Sequence, residues 1–465
     1  MKQSDRDQER NRDINHQRRR LLSGLAATAA GISLSGCGGG SSSVSDSSPQ
    51  DLPPLPAPAE SGIDHIVVVM MENRSFDHYL GWVPGADGVQ AGRSFTDTNG
   101  ATQSSHDLAP NYQNCASADP DHSYAGGRKH LNGGAMDGFL LTQPVGDTFP
   151  IGYYGADSLP FFKGVVDNYT ICDRYFSGIL SSTYPNRFYM HAGQTDRVSN
   201  TTAISTLPTI WDSMKAAGYS AHYYFSDAPF LALWGGKYLG TTLPVALFKA
   251  AAATGTLPNL SFVDPAEIGE GSGISKDDHP LADIRDGQAF LNDIYDTLRN
   301  SPQWDKTLLI INYDEWGGFA DHVVPPMAPV TPAEFAATQN DGRLGFRVPC
   351  AIIGPRAKRN HVEHLQFDPN SILNMIAWRF GFEPLGARST SINLAHALDF
   401  DNPPNTAAPA FDVGNGPFGS ACRLQDVLPS GTSTAELDEV SRRQAEHLLE
   451  WQTLQMMARR YGFAV

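Results

Sequence analysis

The sequence lacks the features that mark several common classes of protein. Its formal net charge is −16 and it shows no basic stripe, which argues against nucleic acid as a partner. Beyond residue 60, no apolar run is long enough to span a bilayer. Cysteine is scarce, with 5 among 465 residues, and no spacing matches a zinc-binding motif. What remains is an acidic chain with the composition of a globular protein.

The first 37 residues resemble an export signal. A run of arginines at 18–20 precedes a moderately apolar segment that ends in Leu-Ser-Gly-Cys at residues 34–37. This order is typical of a twin-arginine lipoprotein signal, in which Cys37 becomes the first mature residue and carries the lipid. An ordinary signal with a chance cysteine is the alternative. The pattern predicts an exported protein of the cell envelope, in the periplasm or at the cell surface, with membrane contact through Cys37.

The rest of the chain is predicted to form a tether and one domain. Residues 38–60 are mainly glycine, serine and proline, the composition of a flexible linker. Residues 61–465 have the length and apolar content of a single large domain. In an oxidising compartment the remaining cysteines permit one or two disulfides, with no pairing preferred. These cysteines are Cys115, Cys172, Cys350 and Cys422.

Short apolar runs alternate with helical patterns along this domain. Residues 63–71, 307–313 and 347–353 are nearly continuous apolar runs, as in strands buried on both faces of a parallel sheet. Weaker strand patterns occur at 220–225 and 259–263, and helical periodicity occurs at 207–217, 283–300, 371–380 and 434–462. This alternation predicts an α/β fold with a mostly parallel central sheet flanked by helices. The poorly periodic stretch 85–160 is predicted to form large loops over the carboxyl ends of the strands.

Two of the apolar runs end in acidic residues. Glu72 and Asn73 follow the first run, and Asp314 and Glu315 follow the second. Ligands of open α/β sheets bind beyond the carboxyl ends of the strands. Carboxylates held close together in a shielded site repel each other unless a cation lies between them. These pairs therefore indicate a metal site, and helix capping or a salt bridge is the structural alternative.

Further candidate residues lie in loops with turn-forming sequences. Thr183 supplies a hydroxyl before a turn fixed by proline, and His122, His279 and His322 follow or adjoin aspartates. Paired glycines after Glu315 are expected to allow a tight turn back over the strand end. Oxygen ligands, a hydroxyl and histidines together suit metal-assisted phosphoryl chemistry.

Four segments, in the same order along the chain, resemble motifs of a known family. They are Glu72-Asn73-Arg74-Ser75-Phe76-Asp77-His78-Tyr79-Leu80-Gly81 and residues 183–187, 314–326 and 345–349. They resemble the bacterial phosphoesterase family that contains the non-specific phospholipases C and the AcpA-type acid phosphatases. The resemblance extends from about residue 61 to residue 382. One departure is the absence of the histidine that many relatives carry just after Asp368.

The resemblance implies an alkaline-phosphatase-like α/β fold and a phosphoric ester hydrolase with one divalent metal ion of unknown identity. The implied metal ligands are Glu72, Asn73, Thr183, Asp314 and Glu315. Thr183 is the implied nucleophile and forms a phosphothreonine intermediate. The residues implied to hold phosphoryl oxygens or protonate the leaving group are His122, His279 and His322.

The substrate stays open at this point. The leading expectation is phospholipase C-type cleavage of a phospholipid, and the alternative within the family is an acid phosphatase acting on small phosphomonoesters. A lipid-anchored protein that binds a phosphorylated ligand without turnover is an alternative of another class. A lipid-binding site needs an apolar mouth, and several aromatic residues are candidates to line it, with packing in the core as the alternative. These residues are Tyr153, Tyr154, Phe161, Phe162, Tyr223, Tyr224, Phe225, Phe230 and Trp234.

Overall fold

The computed structural model of the protein describes residues 52–422 and 449–465. The predicted export signal at 1–37 and the tether as far as residue 51 lie outside the described residues. Within the described part of the chain, no helix is both long enough and apolar enough to cross a bilayer. The end of the predicted tether contains a single 3₁₀ turn, Pro58–Glu60.

Eight of the twelve strands in residues 52–422 and 449–465 form the central sheet, in the order β12-β6-β11-β10-β1-β9-β7-β8. The other four form two small two-stranded sheets, β2 with β3 and β4 with β5. The strands are β1 (His65–Met71), β2 (Ser94–Thr96), β3 (Thr102–Ser104), β4 (His106–Asp107), β5 (Gly152–Tyr153), β6 (Thr170–Cys172), β7 (Ala221–Phe225), β8 (Thr242–Pro244), β9 (Leu260–Val263), β10 (Thr307–Tyr313), β11 (Cys350–Ile353) and β12 (His361–Glu363).

The α-helices whose bounds fall in the described residues flank this sheet or lie in its connections. They are α1 (Phe76–Leu80), α2 (Tyr124–Leu131), α3 (Pro160–Asn168), α4 (Thr183–Ala192), α5 (Ile210–Ala216), α6 (Val245–Thr254), α7 (Ile284–Arg299), α8 (Pro332–Thr338) and α9 (Pro369–Phe380). Residues 449–461 are also helical, and we call them the C-terminal helix. The remainder of the helix predicted at 434–462 lies mostly outside the described residues.

The centre of the sheet confirms the predicted α/β class. Consecutive residues of β1 and β10 point to opposite faces, yet Ile66 to Val69 and Leu308 to Ile311 are all fully buried. Both faces are therefore covered, which explains the continuous apolar runs. Strand β1 pairs in parallel with β10 on one side and with β9 on the other. The weaker strands predicted at 220–225 and 259–263 are present as β7 and β9.

Two local predictions differ from the structure. Strand β11 runs antiparallel to both β10 and β6. The sequence did not predict this direction, because an apolar run indicates burial and carries no information about strand direction. Residues 183–187 were predicted as a proline-fixed turn and instead begin helix α4. Pro185 fits there because the first turn of a helix does not use its backbone N–H groups in intrahelical bonds.

One disulfide is present in the described residues and joins Cys115 to Cys422. Cys172 and Cys350 are buried and free, on the neighbouring strands β6 and β11. The disulfide attaches the segment after α9 to the loop that precedes α2. It therefore holds a late part of the chain against the loops at 85–160.

Candidate active site

Three adjacent strands deliver acidic residues to one edge of the sheet. Glu72 directly follows β1, Asp314 follows β10 and Asp264 follows β9. The register pairs the last residues of β1 and β10, and the Asp314 backbone N–H donates to the Met71 carbonyl at 3.0 Å. Because these strands are parallel, their carboxyl ends meet at the same edge. All three carboxylates are at most 2% exposed.

Asn73 and Glu315 continue the same arrangement. Asn73 has a left-handed backbone (φ 59°), which asparagine tolerates better than most residues, and its N–H donates to Asp314 Oδ1 at 3.0 Å. Glu315 Oε2 accepts from the Gly317 N–H at 2.7 Å. Gly317 also has positive φ, and a Cβ atom there would collide with the Asn73 carbonyl. The paired glycines thus form the tight turn expected over the strand end.

Thr183 lies at the start of α4 and is only 3% exposed. Its hydroxyl donates to Glu72 Oε2 at 3.2 Å, so helix α4 and strand β1 meet at this hydrogen bond. The N-terminus of a helix carries a partial positive charge, which favours negative charge on an oxygen at that position. We refer to Glu72, Asn73, Thr183, Asp314 and Glu315 as the oxygen-ligand cluster.

Arg187 lies one helical turn after Thr183 and orients the other side of Glu72. Its Nε and Nη2 atoms donate to Glu72 Oε1 at 3.1 and 2.9 Å. The same guanidinium forms ion pairs with Asp264 at 3.0 Å and with Glu267 at 2.8 Å. Glu72 therefore presents one oxygen to Arg187 and the other to Thr183. All of these groups are buried.

The predicted histidines His122 and His279 lie beside the oxygen-ligand cluster. His122 Nε2 is 3.9 Å from Glu315 Oε1, and His279 Nε2 is 3.9 Å from Glu270 Oε2. His122, His279 and Asp119 each bring one ligand atom within 4.8 Å of the others, and all three are buried. The two loops that precede α2 and α7 therefore meet over the carboxyl ends of the strands.

The Asn73 amide group lies between His279 and the carboxylates of the oxygen-ligand cluster, and its nitrogen and oxygen can be placed in two orientations. In one, its nitrogen donates to Glu72 Oε2 at 3.3 Å and to Glu315, and its oxygen accepts from His279 Nε2 at 3.0 Å. That orientation requires a doubly protonated His279, because His279 Nδ1 already faces the Pro280 carbonyl at 3.0 Å. The other turns the amide oxygen toward the two carboxylates, which is favourable when a cation lies among them.

His322 lies in a different group of charged residues. Its Nδ1 is 2.7 Å from Asp77 Oδ2 and its Nε2 is 3.0 Å from Asp87 Oδ1. Arg347 joins Asp77 and Asp321 in the same group at 3.0 Å each. We call these five residues the Arg347 cluster. In the described part of the chain, no hydrogen bond or ion pair joins His322 to the oxygen-ligand cluster. The chemical roles of His122, His279 and His322 remain predictions.

Burial raises the pKa of the carboxylates in the oxygen-ligand cluster, and the charge of Asp314 adds to this effect at Glu72 and Glu315. Burial holds the pKa of Glu72 well above its usual range, and the negative charge of Asp314 adds to this effect. Burial and the charge of Asp314 act in the same way on the pKa of Glu315. Burial also raises the pKa of Asp314. Such a group of acids is ionised together at neutral pH when a cation compensates their charge.

The donor set fits a divalent metal ion. Carboxylate, amide and hydroxyl oxygens are the ligands of hard and borderline divalent cations. Asp314 Oδ2 is buried, and among the described residues it has no hydrogen-bond partner, although its other oxygen accepts from two backbone N–H groups. A buried acceptor without a donor is costly, and a cation bound at this position would satisfy it. The residues present therefore fit the metal that the sequence implies.

The aromatic residues considered for a lipid-binding mouth pack in the core instead. All except the partly buried Tyr153 are at most 4% exposed and belong to the main hydrophobic cluster.

The sequence analysis assigned no role to Arg187, Asp264 or Glu267. Asp264 directly follows a predicted strand, so the rule that selected Glu72 and Asp314 would have selected it too.

Comparison with known proteins gives one family match over most of this domain. A model of the phosphoesterase family matches residues 63–383. Non-specific phospholipase C3 of Arabidopsis thaliana is 31% identical over 67% of this chain and 66% of its own length. Phospholipase C B of Mycobacterium tuberculosis H37Rv is 30% identical over 75% of this chain and 80% of its own. The chain thus spans just under two thirds of the Arabidopsis protein.

The solved structures that the comparison matches have low sequence identity and low TM-scores. A Vibrio parahaemolyticus protein of the alkaline phosphatase superfamily has a TM-score of 0.37 and 10% identity, over 87% of this chain and 89% of that chain. Murine ectonucleotide pyrophosphatase/phosphodiesterase 5 has a TM-score of 0.34 and 13% identity, over 52% of this chain and 95% of that chain.

Proposed function

The chain belongs to the phosphoesterase family, and from this premise we propose that it is a metal-dependent hydrolase of phosphate esters with Thr183 as its nucleophile. The observation that carries the proposal is the hydrogen bond from the Thr183 hydroxyl to Glu72, beside a buried set of oxygen ligands. A threonine needs activation before it attacks, because an alcohol is a weak nucleophile at neutral pH. A divalent cation held by the oxygen-ligand cluster supplies charge that stabilises the alkoxide.

Thr183 Oγ1 forms a bond to phosphorus while the bond from phosphorus to the leaving oxygen breaks, and the leaving oxygen takes a proton from water or from one of the neighbouring histidines, His122 or His279, and departs as an alcohol. The Thr183 hydroxyl faces Glu72 Oε2, so this carboxylate is positioned to receive the hydroxyl proton. The N-terminus of α4 favours the negative charge that develops on the oxygen. Water then attacks the phosphothreonine, releases the phosphoryl product and restores the hydroxyl.

The substrate that we propose is a phospholipid, cleaved between diacylglycerol and phosphate as in phospholipase C. Support comes from relatives named phospholipase C in both Arabidopsis thaliana and Mycobacterium tuberculosis. Hydrolysis of small phosphomonoesters, as by an acid phosphatase, uses the same nucleophile and the same ligands. The difference between the two activities therefore becomes an outcome of the assay below.

We further propose that the protein is exported to the cell envelope and attached to the membrane through Cys37. The arginine run and the Leu-Ser-Gly-Cys sequence at residues 34–37 support this. The disulfide between Cys115 and Cys422 also supports it, because disulfides persist in oxidising compartments.

The test uses the purified protein, phosphatidylcholine vesicles and a simple phosphomonoester, with and without a chelator. We expect phosphocholine release from the vesicles and its loss with chelator. Thr183→Ala is expected to lower kcat on the order of 1,000-fold or more while leaving metal binding mostly intact, because the other members of the oxygen-ligand cluster remain. The matched control is Thr202→Ala at an exposed position outside the site.

The results of this assay distinguish a phospholipase, a phosphatase and a binding protein without turnover. Turnover of the monoester without turnover of lipid would replace the phospholipase by the phosphatase. Full activity of Thr183→Ala would remove the nucleophile. Wild-type protein that binds both substrates and cleaves neither would favour the binding protein without turnover.

A further inference from the structure

The C-terminal helix contacts the active site from outside the segment that matches the family. The family match ends at residue 383, and this helix occupies residues 449–461. Trp451 is 2% exposed, and the guanidinium of Arg187 lies over its ring, with Arg187 Cζ 5.3 Å from the ring centroid. The same ring makes an edge contact with Tyr184, at 5.8 Å between centroids. Both partners belong to the first turns of α4, which begins with Thr183.

Arg187 orients the Glu72 side chain through two hydrogen bonds to one of its carboxylate oxygens. Three carboxylates share this one guanidinium, namely those of Glu72, Asp264 and Glu267. A guanidinium donates only within its own plane, so a tilt of that plane would favour one carboxylate at the expense of another. Something must therefore fix the plane if Glu72 is to keep the orientation that its contact with Thr183 requires.

The Trp451 ring borders the Arg187 guanidinium on one side. A tryptophan ring attracts a cation placed over it, and the attraction grows when the pair is removed from water. The Arg187 guanidinium is therefore surrounded by three acids and by the buried indole. Contact with the indole limits the movement of the guanidinium relative to Glu72.

A second contact of the helix reaches the same neighbourhood. Gln455, one turn after Trp451, donates from its Nε2 to the Asp227 carbonyl at 2.9 Å. The Asp227 carboxylate in turn accepts from the backbone N–H groups of Glu267 and Ile268 at 2.9 to 3.2 Å. Since Glu267 is one of the acids on Arg187, the helix supports this ion-pair network at two places.

We propose that Trp451 is a positioning residue for the reaction: it fixes the plane of Arg187, and Arg187 orients Glu72 toward Thr183 and the metal site. The C-terminal helix thereby completes the active site. The proposal rests on the proposed metal-dependent function, but its first readout is metal affinity, which can be measured without turnover.

The experiment titrates Mn²⁺ into chelator-treated full-length protein and measures free Mn²⁺ by its electron paramagnetic resonance signal. Trp451→Leu is expected to weaken Mn²⁺ binding by roughly 10- to 100-fold, as for other residues that orient a metal ligand. Trp451→Phe keeps a ring over the guanidinium and should recover most of the affinity. In the activity assay, Trp451→Leu should lower kcat more than it raises KM.

Two controls separate positioning from packing. Leu454→Ala removes a fully buried side chain of the same helix, one that no described contact joins to Arg187. It should lower stability without weakening Mn²⁺ binding. In an Arg187→Lys background, Trp451→Leu should weaken binding no further, because the guanidinium plane on which it acts is gone.

The proposal fails if Leu454→Ala weakens Mn²⁺ binding as much as Trp451→Leu does at an equal loss of stability. It also fails if the effects of Trp451→Leu and Arg187→Lys on Mn²⁺ binding add in full. The proposed function can fail separately: a wild-type protein that hydrolyses no phosphate ester but shows this pattern of affinities would retain the positioning role.

Discussion

The oxygen-ligand cluster and the Arg347 cluster draw on the same two motifs, yet they balance charge differently. Glu72 follows β1, and Asp77 lies five residues later in helix α1. Asp314 follows β10, and Asp321 and His322 lie further along the same loop. In the Arg347 cluster, Arg347 bonds to Asp77 and Asp321. In the oxygen-ligand cluster, Glu72 shares Arg187 with two further acids, Asp264 and Glu267.

The difference indicates which buried acids are structural and which bind a ligand. A buried carboxylate is stable when a cation and hydrogen bonds compensate it. The Arg347 cluster contains its own cations and holds α1 against the loop after β10. The oxygen-ligand cluster has more acidic groups than its own residues compensate, in agreement with the proposal that it binds a cation from solution. The predictions below test this contrast.

The largest expected effect follows from changing one acid in each cluster. Asp314→Asn should abolish stoichiometric metal binding and lower hydrolysis on the order of 1,000-fold, since several kcal/mol of charge stabilisation are lost. Asp321→Asn should retain the metal. Metal content by mass spectrometry after dialysis is the measurement, and equal metal loss in both variants would end the distinction.

A smaller effect is expected from removing the cation of the Arg347 cluster. Arg347 is fully buried, so Arg347→Leu leaves Asp77 and Asp321 buried without their partner. The expected loss in the free energy of unfolding is about 3–5 kcal/mol. Urea unfolding monitored by circular dichroism measures it, with Arg460→Leu as an exposed control. A loss no larger than in the control would mean that this ion pair is not needed for stability.

The smallest effect concerns pH. Burial by itself would lower the pKa of His322, but hydrogen bonds to Asp77 and Asp87 outweigh it and raise this pKa to about 9. A folded-state pKa above the ordinary value of 6.5 gives stability that is fully present below 6.5 and is lost as the pH rises through about 9.

The measurement compares the free energy of unfolding of the wild type with that of His322→Gln at about pH 6 and about pH 10. We expect the advantage of the wild type at the lower pH to shrink at the higher one. His106→Gln, at a histidine outside both clusters, serves as the control. An advantage that is constant with pH would show that His322 carries no charge in this cluster.

Much of the fold was accessible from the sequence because burial on both faces of a strand leaves a continuous apolar run. Residues 307–313 were predicted with the observed bounds of β10, and β1 is shorter than predicted by two residues. The direction of β11 was not accessible, because antiparallel pairing leaves the same apolar pattern. Helix α4 was not predicted, because proline is common both in turns and in the first turn of a helix, and Pro185 is compatible with either.

The candidate site shows a similar division. The acids at the strand ends and Thr183 were selected from local sequence, and the structure brings them together. The role of Arg187 required three dimensions, since its partner Glu72 is 115 residues away in the chain. The same holds for Arg347, whose partner Asp77 is 270 residues away. His322 was predicted to hold a phosphoryl oxygen or to protonate the leaving group, and this role stays a prediction; the sequence did not predict its contacts with Asp77 and Asp87.

The disulfide between Cys115 and Cys422 has a consequence for proteolysis. Residues 401–407 are exposed and lie between the two cysteines in sequence. A protease that cuts this stretch would not release the downstream fragment, which contains Trp451, because the bridge keeps the two pieces covalently linked. Nicked protein would migrate as one band on a denaturing gel without reductant and as two bands with it.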